Sequence, residues 1–267
     1  AQYGSLDEAM ARVKAKTLVV SFSSDWLYPP HQSEEIVYAL TRQGKDVTYS
    51  TIQSNYGHDA FLLELDTLTK VVAGFLKHTM HPERPCERCE DNKEKQRVEL
   101  PVAAPNSIYS GRRVDYEMIC DLVEEGSRVL DIGSGSGELL CRLNRIRNTH
   151  GLGLELSQEL VISSIGCGIS VVQADIDKGL GALPDGSFDY ALLSMTLQVI
   201  QNPDLVLKEM LRVGKKCIVS FPNFGQWRVR LKTLVQGRAP VTRNLPYAWY
   251  QSPNRHVLTI KDFRSFC

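Results

Sequence analysis

The chain has 267 residues, 43% hydrophobic and 23% charged, and its 31 basic side chains balance 31 acidic ones. These proportions belong to a globular protein of one or two domains and exclude a disordered chain, a collagen and a disulfide scaffold. A neutral chain is a poor coat for nucleic acid or an anionic membrane, and no apolar run nears the roughly 18–20 residues of a spanning helix.

The opening residues are polar and helix-like, without a signal-peptide pattern. Seven cysteines, scattered from Cys86 to Cys267, suit reduced thiols in a cytoplasmic protein. Thr17–Phe22 is a short β-branched run that reads as a buried strand. A loop with Pro29 and Pro30 follows, then a helix over 33–42 ended by Gly44, and a second strand over Val47–Ile52. A turn at 55–57 leads into a helix over 60–77. This order implies parallel strands whose carboxyl ends face a ligand.

Asp25 lies in the loop after the first strand, and His58 lies 33 residues on, after the second. An acid after one strand and a histidine after the next is the order of an α/β-hydrolase triad. The acid orients the imidazole and stabilises its charged form, and the imidazole takes a proton from a hydroxyl nucleophile. The plain alternative is a loop aspartate and a surface histidine. The wording of the two loops, Ser-x-Asp-Trp-Leu-Tyr-Pro-Pro and Gly-His-Asp-Ala-Phe-Leu-Leu-Glu, resembles the carboxyl-terminal motifs of the homoserine O-acetyltransferase (MetX) family over about residues 10–80. The resemblance implies that Asp25 and His58 are the acid and base of the triad. It also implies that Asp59 holds the homoserine ammonium, with acetyl-CoA as co-substrate. No serine stands in a Gly-x-Ser-x-Gly setting. The expectation is therefore that an absent segment, a complete acetyltransferase subunit or a homo-oligomer supplies the nucleophile. Succinyl-CoA and serine stay open as alternative substrates.

Residues 82–100 carry eleven charged residues and two prolines and read as a linker, taken as 82–105. Cys86 and Cys89 follow His78 and His81, but only four residues separate the pairs, too few for an ordinary zinc loop. No metal site is expected.

Beyond the linker, helices are expected over 114–123, 139–147 and Pro203–Val213. Strands are expected over 128–133, 151–155, Ser170–Gln173, Phe188–Ser194 and 216–221. Strand and helix alternate, which implies a parallel sheet covered on both faces. After the first of these strands comes Asp131-Ile-Gly133-Ser-Gly135-Ser-Gly137, with Glu138 where a dinucleotide fingerprint has its third glycine. A carboxylate at a helix start disfavours pyrophosphate there, so the glycines suit an uncharged or zwitterionic ligand. Glu155 ends the next strand, where it can accept both ribose hydroxyls, and Asp175 follows the third, where it can accept an adenine amino group.

This pattern resembles the class I S-adenosylmethionine-dependent methyltransferase fold. Ile-Val-Ser-Phe-Pro-Asn-Phe-Gly-Gln-Trp-Arg-Val-Arg and Leu-Pro-Tyr-Ala-Trp-Tyr are more specific, and resemble the methionine biosynthesis protein MetW family over roughly 110–267. The resemblance implies that Asp131, Gly133, Gly135, Gly137, Glu155 and Asp175 line an S-adenosylmethionine pocket. The loop after the fourth strand, Met195-Thr196-Leu197-Gln198, holds no ionisable residue to act as a base. That favours a binding module that supports or regulates the acetyltransferase over an active methyltransferase.

The expected architecture is therefore α/β. Residues 1–81 form part of an α/β-hydrolase acetyltransferase, and 106–267 form a Rossmann-like methyltransferase domain, joined for methionine biosynthesis. Residues 208–267 hold 12 basic and 2 acidic side chains, either a solvated face or a docking surface that includes Arg228, Arg230 and Lys232. Trp227, Tyr247, Trp249 and Tyr250 lie among them, and core packing is the expectation over nucleic-acid stacking.

Overall fold

The computed structural model describes residues 4–80, 113–181, 183–238, 241 and 250–267. The expected linker, with Cys86 and Cys89, and the tail residues Tyr247 and Trp249 lie outside the described residues.

A short helix α1 (Leu6–Ala11) precedes β1 (Thr17–Phe22), α2 (Pro30–Arg42) and β2 (Val47–Ile52). The strands are six-residue runs that pair in parallel from Thr17 beside Val47 to Phe22 beside Ile52. Helix α2 starts three residues earlier than expected. Pro30 occupies its first turn, where a missing N–H breaks no helical bond, and Val37, Ala39 and Leu40 are buried. After β2, a 3₁₀ turn (Gly57–Asp59) leads to α3 (Ala60–Leu63) and α4 (Leu65–Met80). The one helix expected over 60–77 is broken at Glu64, which leaves helical geometry at φ −88°, ψ 39°.

The second stretch gives α5 (Val114–Leu122), β3 (Arg128–Ile132), α6 (Glu138–Arg147), β4 (His150–Glu155), α7 (Gln158–Ile165) and β5 (Ser170–Gln173). It continues through β6 (Phe188–Ser194), α8 (Pro203–Val213), β7 (Gly214–Ser220), α9 (Trp227–Gln236) and α10 (Ile260–Phe266). Helices α7, α9 and α10 were not expected from the sequence. Val161, Ile162, Ser163 and Ser164 in α7 are weak helix formers, and tertiary burial of Val161, Ser164 and Ile165 holds them in place.

All seven strands lie in one parallel sheet, in the order β1-β2-β5-β4-β3-β6-β7. The charged linker in the sequence separates the two stretches, whereas the structure joins them edge to edge at β2 and β5. The ladder there registers Tyr49 beside Val172. Side chains then take over, as Gln173 Oε1 accepts the Thr51 N–H at 2.9 Å and Gln158 Oε1 accepts the Gln53 N–H at 3.1 Å. On one face Val37, Leu40 and Tyr49 share a core with Leu152, Leu154 and Val172. On the other, Val71 of α4 packs with Val161, Ile165 and Val171. Each such side chain contributes about 1.5–3 kcal/mol on full burial, so the joint is held mainly by apolar contact. Because every strand runs the same way, both groups of expected site residues sit along one edge of the sheet.

Candidate functional sites at the carboxyl edge of the sheet

Asp25 and His58 meet beyond the ends of β1 and β2. His58 Nδ1 lies 3.2 Å from Asp25 Oδ1 and 3.1 Å from Oδ2. The loop folds back on the acid, so that Oδ1 also accepts the N–H groups of Leu27 at 2.9 Å and Tyr28 at 3.0 Å. Burial raises the Asp25 pKa. The Tyr28 N–H, the His58 ring and the Leu27 N–H together outweigh it and hold the carboxyl below its ordinary range. The imidazole sits between the rings of Tyr28 and Phe61, at centroid distances of 5.6 and 5.8 Å. Gly57, at φ +62°, brings the chain under Trp26 and donates its N–H to Ser24 Oγ at 2.9 Å. Among the described residues nothing bonds His58 Nε2, the nitrogen that would face a nucleophile. Asp59 is exposed beside it on the 3₁₀ turn.

The glycine loop lies further along the same edge. Asp131, at the end of β3, is 2% exposed, and its Oδ1 has no partner. Burial and the neighbouring Glu155 charge push its carboxyl up to about 7 against the opposing pull of Arg113. Gly133 has φ +76°, and a Cβ there would stand 2.6 Å from Thr196 Cγ2. Gly135 has φ +58° and open space where a Cβ would go. Gly137, at φ +76°, is the N-cap of α6.

Glu155 is placed differently from the expectation. Its Oε2 accepts the Gly135 N–H at 2.8 Å, and Oε1 accepts the N–H groups of Leu156 and Ser157, each at 2.9 Å. In this structure it anchors the glycine loop, with about one of a carboxylate's four lone-pair positions left. Asp175 caps a 3₁₀ turn through the Asp177 N–H at 3.1 Å, and its other oxygen lies 3.7 Å from Lys178 Nζ.

Several residues here escaped the sequence reading. Arg113 forks onto Asp115 at 2.9 and 2.6 Å, reaches Ser194 Oγ at 3.3 Å and lies 3.8 Å over the Tyr116 ring. Its only sequence signal is an Arg-x-Asp at a helix start. Met195 holds φ +54°, and Gln198 is fully buried with Oε1 unpartnered. A positive φ at a residue with a side chain is strained backbone, here in the loop that faces the glycines.

A ligand with an ammonium, a ribose diol and an adenine amino group suits these residues. The unpartnered Asp131 oxygen and the space over Gly135 are free to meet it, while Glu155 would turn from the loop towards the ribose and Asp175 would share its carboxylate with the Asp177 N–H.

Elsewhere, His78 donates from Nε2 to the Gly166 carbonyl at 2.8 Å, so this nitrogen serves the joint between the two stretches. Among the described residues, no group of three or more His, Cys, Asp or Glu side chains is placed to hold a metal, and no helix is long and apolar enough to cross a membrane. Cys120, Cys167, Cys217 and Cys267 are free thiols. On α9, Arg228 and Arg230 are exposed, while Lys232 is half-buried and donates to the Val241 carbonyl at 2.5 Å. Trp227 and Tyr250 are both exposed, which corrects the expectation that they pack in the core.

The family model of methionine biosynthesis protein MetW matches residues 113–267, more than half of the chain. The chain belongs to the MetW family. The matched residues include the whole glycine-loop site. The bifunctional methionine biosynthesis protein MetXA/MetW of Rhodopirellula baltica is 40% identical over 256 residues, covering 92% of this chain and 38% of that protein. Ahead of the MetW part, homoserine O-acetyltransferases of Methanohalobium evestigatum and Geotalea daltonii are each 59% identical over 75 residues, covering 28% of this chain. The chain spans 15% and 20% of their lengths. A SAM-dependent methyltransferase, possible histamine N-methyltransferase, from Thermotoga maritima superposes with a TM-score of 0.42 at 21% identity, over 57% of this chain and 66% of that one.

Proposed function

We propose that the chain joins the carboxyl-terminal part of a homoserine O-acetyltransferase, residues 1–81, to a MetW domain, residues 106–267, that binds S-adenosylmethionine. The observation that carries the reading is the Asp25–His58 contact at 3.1 Å, made in a chain 59% identical over 75 residues to a homoserine O-acetyltransferase. Asp25 fixes the imidazole with Nδ1–H towards the acid, and leaves Nε2 as the base. His58 then takes the proton of a serine hydroxyl as it attacks acetyl-CoA, and returns it to the leaving thiolate. In the second half the imidazole deprotonates the homoserine hydroxyl as it attacks the acetyl-serine carbonyl, and returns that proton to the serine oxygen as the acyl-serine bond breaks. Asp59, exposed beside His58, is the carboxylate for the homoserine ammonium. The serine comes from a complete acetyltransferase subunit or from a segment outside this sequence.

S-adenosylmethionine, where bound, would supply an electrophilic methyl group. Asp131 would meet its ammonium, Glu155 its ribose and Asp175 its adenine. The loop Met195–Gln198 has no side chain able to take a proton, which favours a sensing role over methyl transfer. The test is a complete enzyme carrying His58→Ala. Acetyl transfer from acetyl-CoA to homoserine should fall by about 10³-fold or more, with S-adenosylhomocysteine binding unchanged. Near-normal transfer would remove His58 from the chemistry.

A further inference from the structure

The joint between the two stretches carries a half-open cleft of about 470 Å³, within the roughly 300–1,000 Å³ range of small-molecule sites. One wall is α2 of the acetyltransferase part, with Pro30, Glu34 and Tyr38. The opposite wall is the MetW part, with Leu154, Leu156 and Asp175. Asp175 lines this cleft and is also a residue of the proposed cofactor site, and Leu156, next to Glu155 in the chain, lines it too. We propose that the cleft receives the adenine end of the S-adenosyl ligand, so that α2 completes a nucleoside site shared by both parts. This rests on the reading of the glycine loop as an S-adenosylmethionine site.

The chemistry of the lining suits a purine. Leu154 and Leu156 offer apolar surface to a flat ring. Glu34 and Asp175 are acceptors for an exocyclic amino group. Burial, and then the Glu34 charge, raise the Tyr38 phenol above its ordinary value, so it stays a neutral donor for a ring nitrogen. The placement also links two chemistries. Helix α2 begins at Pro30, directly after the loop whose Leu27 and Tyr28 N–H groups hold the Asp25 carboxylate. A ligand that orders α2 therefore acts on the loop that carries the acid, and by linkage the state of that loop alters the ligand's affinity.

The test is calorimetric titration of S-adenosylhomocysteine into the 267-residue chain and into Glu34→Gln, Tyr38→Phe and Glu155→Ala, with melting curves to check folding. Hydrogen exchange of α2 would be followed with and without ligand. Glu34→Gln and Tyr38→Phe should each weaken binding about 5- to 20-fold, the scale of one lost hydrogen bond to a buried group. The α2 amides should exchange more slowly when ligand is bound. If Glu155→Ala weakens binding while both α2 variants match the wild type and α2 exchange is unchanged, the glycine-loop reading stands and the shared site is overturned. If the wild-type chain does not bind, the glycine-loop reading fails and the shared site with it.

Discussion

Gln173 reaches sideways from the end of β5 and accepts the backbone N–H of Thr51 at 2.9 Å, across 122 residues of sequence. A side-chain carbonyl thus stands where a further ladder bond between β2 and β5 would be, just beyond the registered pair Tyr49 and Val172. Gln173→Ala leaves that N–H without its acceptor in a half-buried setting. The expected loss is about 1–2 kcal/mol, read by denaturant unfolding, with faster hydrogen exchange at Thr51 than at residues of β3. Unchanged exchange at Thr51 would show that the contact contributes nothing to the joint.

Asp131 gives a pH dependence with a defined sign. Its carboxyl is raised to about 7 in the folded chain, from near 4 in an unfolded one. Between those values the native state holds a proton that the unfolded state lacks, so stability falls as pH rises through the window, and the penalty is complete above about 7. Asp131→Asn should therefore raise the melting temperature at pH 8 by several degrees, on the order of a few kcal/mol, and change little near pH 4. A ligand ammonium placed on Asp131 would lower its pKa again. Binding of S-adenosylhomocysteine should then release close to one proton near pH 6 and almost none above pH 8, as read by calorimetry in two buffers of different ionisation enthalpy. Proton release that does not vary with pH would remove Asp131 from the ligand site.

Gly135 and Gly133 separate ligand space from packing space. Both have positive φ, so alanine at either costs about 1–2 kcal/mol of backbone strain. At Gly133 the new methyl also meets the Thr196 side chain at 2.6–2.7 Å, and a further 1–3 kcal/mol of overpacking is expected. At Gly135 the methyl enters open space. Gly135→Ala should melt less far below wild type than Gly133→Ala yet bind S-adenosylhomocysteine at least about tenfold more weakly, since the methyl takes room the ligand needs. Wild-type affinity in Gly135→Ala would place the ligand elsewhere.

The basic carboxyl-terminal run makes a kinetic prediction. Arg228 and Arg230 are exposed, so reversing both to glutamate should leave melting nearly unchanged. Lys232 is excluded from the test because it donates to the Val241 carbonyl. If this face meets an acidic partner, such as a complete acetyltransferase, association should slow several-fold at about 0.02 M salt and much less at about 0.3 M. Equal rates at both salt concentrations would leave the run as a solvated face.

Periodicity and punctuation alone placed the two strands of the first stretch and four of the five in the second to within a residue. Each is a compact β-branched or apolar run bounded by glycine, proline or charge. Only β7 departs, starting two residues before the expected run. The residue types at the strand ends were legible for the same reason, because a parallel strand order sends the loops that carry Asp25 and His58 and the strand ends that carry Asp131 and Glu155 to one edge. Helix α7 was not legible, since its β-branched and serine residues are poor helix formers until Val71 and Val171 pack against them. Nor could the sequence show that Glu155 anchors the glycine loop, or that β2 and β5 meet across the linker. Those outcomes depend on which N–H groups and apolar faces lie opposite each other in space. A lone carboxylate or a bare strand edge takes whatever partner the packing brings, and local sequence carries no record of a partner 20 or 122 residues away.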